Sequence, residues 1–432
     1  MSRTMSGDSH YLRLNNSTVA NTSESFFFGT LILIVDVLFI YACWYVQTFS
    51  NISLLVKGCA IGIPLMFILH VLFETHGDLF VEMVPKGVWI NLGLSVYCML
   101  VGPFVAYDSS ALFASLIIYT GYAVASVVIC YISSMRGSID WFLKTVITTA
   151  LLCAFYALTR GNRYLGYGLQ LSTHNNIHIF SLVLVFGIFA LAYRAKNTVA
   201  SVVMHLIPSI FLMYCIVESS SRKCFIAAAI ILLLWLGSVF RSLWREGQSG
   251  QKIVILLLAV IIVYGLYRFY AGYFLQSHTF QRFETFTDED SNANRIAMYK
   301  KAFSFFWQKP FFGGGFDQYK FWCGGGGYSH ATFAEAIADF GIIGSVLYFT
   351  PLLLMGMRLF KSVFSSGNAK CQLVLAFYIA EMSLGIGQIF FLESQHIFII
   401  ATLYWLEMNE TRKNNEPQNN MENSNGRHRF LV

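Results

Sequence analysis

The sequence predicts an all-α integral membrane protein with about 12 transmembrane helices and one large outer loop between the ninth and tenth. Two observations carry this. Of 432 residues, 56% are hydrophobic and only 12% charged, with a mean hydropathy of +0.58. A soluble domain carries about 25% charged residues, so there is too little polar surface here to coat one. Apolar windows long enough to cross about 30 Å of hydrocarbon then recur along the chain with a single wide gap.

A polar N-terminal tail, 1–25, lacks an apolar core with a cleavage site, so no cleaved leader is expected. Spans one to nine occupy 26–270, with windows at 26–47, 53–73, 88–107, 111–132, 141–158, 177–194, 198–218, 224–241 and 252–270. Residues 271–334 form the long loop, and windows at 335–357, 371–391 and 394–407 supply spans ten to twelve within 335–408. The tail 409–432 is rich in Asn, Glu and Arg and has too few apolar residues to fold.

An even number of spans puts both termini on one side. Arg194, Lys196, Arg241, Arg245, Lys252, Arg358, Lys361 and Lys370 fall in the short loops on that side. Because Lys and Arg are retained in cytoplasmic loops, both termini are expected to be cytoplasmic. Eight of the nine cysteines lie in or beside apolar stretches, and only Cys323 stands in a polar loop. Without a CxxC pair or metal-ligand spacing, neither a disulfide framework, a metal site nor a cofactor is expected.

Basic residues on the outer face oppose the charge rule and call for a reason. Arg160 and Arg163 follow the fifth span, and Ser219–Ser220–Ser221–Arg222–Lys223 is wedged between two spans with almost no loop. A guanidinium at a membrane boundary suits a phosphate oxyanion, since its planar fork binds two oxygens at once. Snorkelling to lipid headgroups is the plainer alternative.

Inside the long loop, Asp290 or Ser291 can cap a helix ending near Pro310, with Ile296, Tyr299, Phe303, Phe306 and Trp307 on one face and Arg295 and Lys300 on its flanks. Such a helix could lie on the outer leaflet or pack over the bundle. Gly313–Gly314–Gly315 and the run Gly324–Gly325–Gly326–Gly327 allow close approach to a ligand or loop movement, but neither has a phosphate-loop pattern. Ser329–His330 then opens a helix through Glu335 and Asp339, two carboxylates on one face. A histidine at a helix N-terminus is held neutral by the helix dipole and can accept a proton; capping is the alternative.

Ser221–Arg222, Asn294–Arg295, the run Pro310–Phe311–Phe312–Gly313–Gly314–Gly315–Phe316, and His330 followed by Gly341–Ile342–Ile343–Gly344 together resemble the O-antigen polymerase/O-antigen ligase superfamily of bacterial inner-membrane glycosyltransferases. The resemblance covers roughly 218–345; Ala331 departs from it, since the family often has Asn or Ser after the histidine. It implies a GT-C-like fold, a periplasmic catalytic loop and a donor glycan carried on undecaprenyl diphosphate. By the same resemblance Arg222 and Arg295 hold the diphosphate with Arg160 or Arg163 adding charge, and His330 deprotonates the acceptor hydroxyl for an inverting, metal-independent attack. Ser221, Lys300 and Glu335 are further candidates for substrate contact.

Polymerisation of lipid-linked repeat units is the first expectation and transfer to lipid A core the nearest alternative. The implied partners are the lipid-linked donor and acceptor, membrane lipid, a chain-length regulator and a flippase, with no nucleic acid. A secondary transporter is the rival from another class; it would place ionisable groups at mid-membrane, whereas the spans here hold few charges, Glu381 in the eleventh being the main exception. A scaffold in an export complex would tolerate loss of both Arg295 and His330.

Overall fold

A computed structural model describes residues 84–135, 139–160, 162–164, 168–170, 177–246, a few positions within 264–280, 289–323 and 327–415. The spans expected at 26–47 and 53–73, most of 252–270 and most of both tails lie outside the described residues.

Each of the other apolar windows coincides with a helix: α1 (Trp89–Val105), α2 (Ser109–Met135), α3 (Asp140–Arg160), α4 (Ile177–Arg194), α5 (Val199–Glu218), α6 (Arg222–Glu246), α9 (Thr332–Ser366), α10 (Ala369–Leu384) and α11 (Ser394–Asn415). Between α6 and α9 lie α7 (Glu289–Gln308) and the single turn α8 (Tyr319–Trp322). Among the described residues, five helices are long and apolar enough to cross a membrane: Ser109–Tyr131, Phe142–Thr159, Val199–Glu218, Arg222–Ser242 and Thr332–Ser365. The chain is a multi-pass, predominantly helical membrane protein.

The order from core to lipid follows from exposure. Helix α4 is apolar all round and buried on every side from Phe180 to Tyr193, as expected for a helix at the centre of a bundle. Helices α3, α5 and α6 pack around it, and Phe377 of α10 stacks on Phe189 at 4.0 Å between ring centroids. Large apolar side chains on α5 (Met204, Ile207), α6 (Leu233) and the lower part of α9 (Leu353, Met357, Phe364) stay exposed, a contiguous apolar perimeter that suits lipid contact. Ion pairs close the end opposite the long loop: Arg194 with Asp140, and Arg358 in a fork on Glu407 at 2.7 and 3.1 Å.

Three expectations are corrected. A two-stranded antiparallel hairpin follows α3, Asn162–Tyr164 against Gly168–Gln170 with Arg163 opposite Leu169, where only loop was expected. Span eleven is shorter than the 371–391 window, because α10 stops at Leu384 and a turn and a 3-10 helix (Phe390–Leu392) follow. Helix α7 begins at Glu289, before the expected caps.

Helix α9 is too long for one span. Its 35 residues would extend about 52 Å at 1.5 Å per residue, against a hydrocarbon core of about 30 Å. It breaks at Gly341, where φ is 64° and ψ is −165°. The polar groups freed by the break find partners from two directions. Ile342 N donates to Pro310 O at 2.8 Å, and Gly314 N and Gly315 N donate to Ala338 O and Asp339 O at 2.9 and 2.8 Å. Phe340 O accepts from the Tyr97 hydroxyl of α1 at 2.9 Å.

Candidate functional site

The glycine run after Pro310 packs on the break rather than standing open for a ligand. A Cβ built on Gly313 would lie 2.4 Å from Asp339 O, and one on Gly341 2.5 Å from the Phe311 carbonyl, so the two backbones touch. Phe316 anchors the far side of this loop, buried against Tyr119, Phe340 and Phe391 with ring centroids 5.0, 5.9 and 5.8 Å away.

Glu335 and Asp339 share a helix face, as their spacing requires, but both are fully buried. Asp339 accepts from the backbone N–H groups of Asp317, Gln318 and Tyr319 at 3.0, 3.2 and 2.8 Å, which caps α8. Glu335 accepts from Ser329 N at 2.6 Å. Both carboxylates anchor the two loops that precede α9. Asp317 holds Ser115 and Lys320; burial opposes the charge on Lys320, but the bond and charge of Asp317 outweigh it and lift its pKa.

These anchors present His330. Its backbone takes φ 56°, and the described non-glycine residues with positive φ are Ser220, Asp317 and His330, all at the long-loop end of the bundle. Such conformations cost about 1–3 kcal/mol each and persist only where the surroundings over-determine them. The His330 side chain is exposed. Partial burial of the ring, then the charges of Arg295 and Lys223, hold its pKa below the ordinary histidine range, so the neutral, proton-accepting form dominates at neutral pH.

Arg295 reaches this place from α7, which is tied down by Tyr299 Oη donating to Ile386 O at 3.0 Å. The buried side of α7 is Ala302 and Phe305, whereas Ile296, Phe303 and Trp307 are exposed, so most of the expected apolar stripe faces away from the bundle. Lys300 is exposed and Arg222 half-buried. Ser221 is buried, with its Oγ 3.0 Å from His178 Nδ1, and points to a neighbour rather than to open space. The backbones of Arg160 and Arg163 stand at the same end, in α3 and the hairpin; their side chains lie outside the described residues.

Two residues were given no role by the sequence reading. Lys223 bears on His330 electrostatically, and its ammonium sits against Gly387, where an added Cβ would fall 1.7 Å from Nζ. How a cation on α6 is turned toward its neighbours depends on the rotational phase of the helix, and a hydropathy window cannot fix that phase. The other is His396, which is buried, bonded to Glu381 and 3.0 Å from Gln388 Oε1. Glu381 itself lies one turn from the end of α10.

Fold and site thus define an α-helical membrane protein with a cationic, histidine-bearing cluster at one end of its bundle. Residues 207–349 match the family model described as O-antigen ligase, and this stretch belongs to the O-antigen polymerase/ligase superfamily. The match spans a third of the chain, includes Arg222, Lys223, Arg295, His330 and the Gly341 break, and supports a membrane enzyme of the glycosyltransferase/ligase type acting on lipid-linked glycans. No curated protein matches the chain.

Proposed function

We propose that the protein is a polymerase of undecaprenyl-diphosphate-linked repeat units, building an O-antigen, capsule or exopolysaccharide at the periplasmic face of the inner membrane. The observation that carries the reading is that the elements bearing His330, Arg295 and Lys223 converge on one turn: Thr332 bonds Gly385 O, Tyr299 bonds Ile386 O and the Lys223 ammonium lies against Gly387, with both cations acting on His330. His330 takes the proton of an acceptor sugar hydroxyl. The oxygen attacks the anomeric carbon opposite the diphosphate, the glycosidic C–O bond to phosphate breaks, and undecaprenyl diphosphate leaves with the electron pair. Arg295, Lys223 and Arg222 neutralise the charge that develops there, with Arg160 or Arg163 adding to the field. Fixed cations aimed at a departing diphosphate supply the stabilisation a metal would, so the reaction runs with inversion and without one. Ala331 in place of the family's Asn or Ser favours polymerase over ligase.

The test is reconstitution with purified lipid-linked repeat unit and no other acceptor, resolved on a gel beside His330→Ala. A ladder lost in the mutant supports polymerase. Transfer that waits for lipid A core makes the protein a ligase. A folded protein silent in both refutes the enzyme reading and returns attention to transport.

A further inference from the structure

The turn after α10, residues 385–390, touches the elements that carry His330, Arg295 and Lys223. Thr332, two residues after His330, donates its N–H to Gly385 O at 2.8 Å and its hydroxyl to Gln388 O at 2.6 Å, and accepts from Phe390 N at 3.1 Å. Tyr299, one turn along α7 from Arg295, donates to Ile386 O. Lys223 rests on Gly387. The turn itself is pinned from below by His396, whose two ring nitrogens meet Glu381 and Gln388 and whose ring packs 4.6 Å from that of Phe390. Both His396 and Glu381 are about 1% exposed, and neither belongs to the stretch that matches the family.

The hydrogen inventory makes this arrangement specific. With the Gln388 oxygen accepting, His396 Nε2 must carry its hydrogen, and the Nδ1 contact then needs one proton shared between imidazole and Glu381. An amide at 381 could donate to Nδ1 and keep both bonds, whereas a leucine could keep neither Nδ1 nor the turn in place. We infer that Glu381, His396 and Gln388 form a buried positioning triad that fixes the 385–390 turn, and through it sets His330, Arg295 and Lys223 at their mutual distances.

This rests on the role proposed for His330, and the experiment separates the two. Glu381→Leu, Glu381→Gln, His396→Phe, Gln388→Leu and His330→Ala are compared in lipid nanodiscs for turnover of the lipid-linked repeat unit. In parallel, the pH profile of diethylpyrocarbonate modification of His330 is read by mass spectrometry, without substrate. Glu381→Leu, His396→Phe and Gln388→Leu should lose about 10²-fold in kcat, the scale of a 1 Å misplacement, and shift the His330 profile. Glu381→Gln should restore most of the rate and the wild-type profile. Wild-type turnover and profile in folded Gln388→Leu or His396→Phe overturns the triad, as does a Glu381→Gln protein no better than Glu381→Leu. A His330→Ala protein that still polymerises overturns the base alone, and the labelling profile then decides the triad.

Discussion

Gly341→Ala offers the sharpest test of how the site is built. Two penalties act on the new methyl. At φ 64° a non-glycine residue is strained by about 1–3 kcal/mol. The Cβ would also stand 2.5 Å from the Phe311 carbonyl and 2.6 Å from Gly313 N, both backbone atoms that cannot swing away. Separating the strands to an ordinary contact loosens the bonds from Ile342 N to Pro310 O and from Gly315 N to Asp339 O, each about 1 kcal/mol net. The sum is about 3–5 kcal/mol. Gly367 provides the control: its φ is 61°, but nothing lies within 4 Å of its added Cβ, so Gly367→Ala should cost the left-handed strain alone, about 1–2 kcal/mol. Denaturant unfolding in mixed micelles would measure both, alongside polymer formation. Equal costs for the two substitutions would refute the reasoning, because the contact with the 310–316 loop would then contribute nothing.

Other outcomes follow from the same contacts. Arg295→Gln removes a cation that lowers the His330 pKa; the neutral histidine is then lost at higher pH, and the acid limb of kcat/KM should move upward, with no movement refuting the coupling. Gly387→Ala should displace the Lys223 ammonium and weaken donor binding, seen as a raised KM, while Gly272→Ala, with open space around it, should not. Asp339→Asn leaves one oxygen to serve three backbone N–H groups, a loss of about 1–3 kcal/mol that thermal melts would register.

The helices were legible because membrane spans are written in composition: the windows between 88 and 218 fall within three residues of the observed ends, whereas those at 335–357, 371–391 and 394–407 each miss one end by seven to nine. The turn at 385–390 was not, since Ile386, Ile389, Phe390 and Phe391 keep the hydropathy high; the available signal was Gly385 and Gly387 interrupting the run. His330 and Arg295 were singled out through their motifs, and the family match covers both. Lys223 was hidden beside Arg222, and the partners of Asp339 lie about twenty residues away in sequence, where spacing gives no guide. The outward stripe of α7 shows a further limit: periodicity finds an apolar face, but the identity of what covers it is decided elsewhere.

In the role proposed for His330, its left-handed backbone places stability and activity in opposition at a single residue. Glycine adopts φ 56° freely and alanine does not, so His330→Gly should melt above His330→Ala by the equivalent of about 1 kcal/mol, although both lack the imidazole. Equal melting of the two would mean that no strain is held there. A chain selected only for endurance would drift toward glycine at this position, and its histidine therefore records a demand that folding alone does not make.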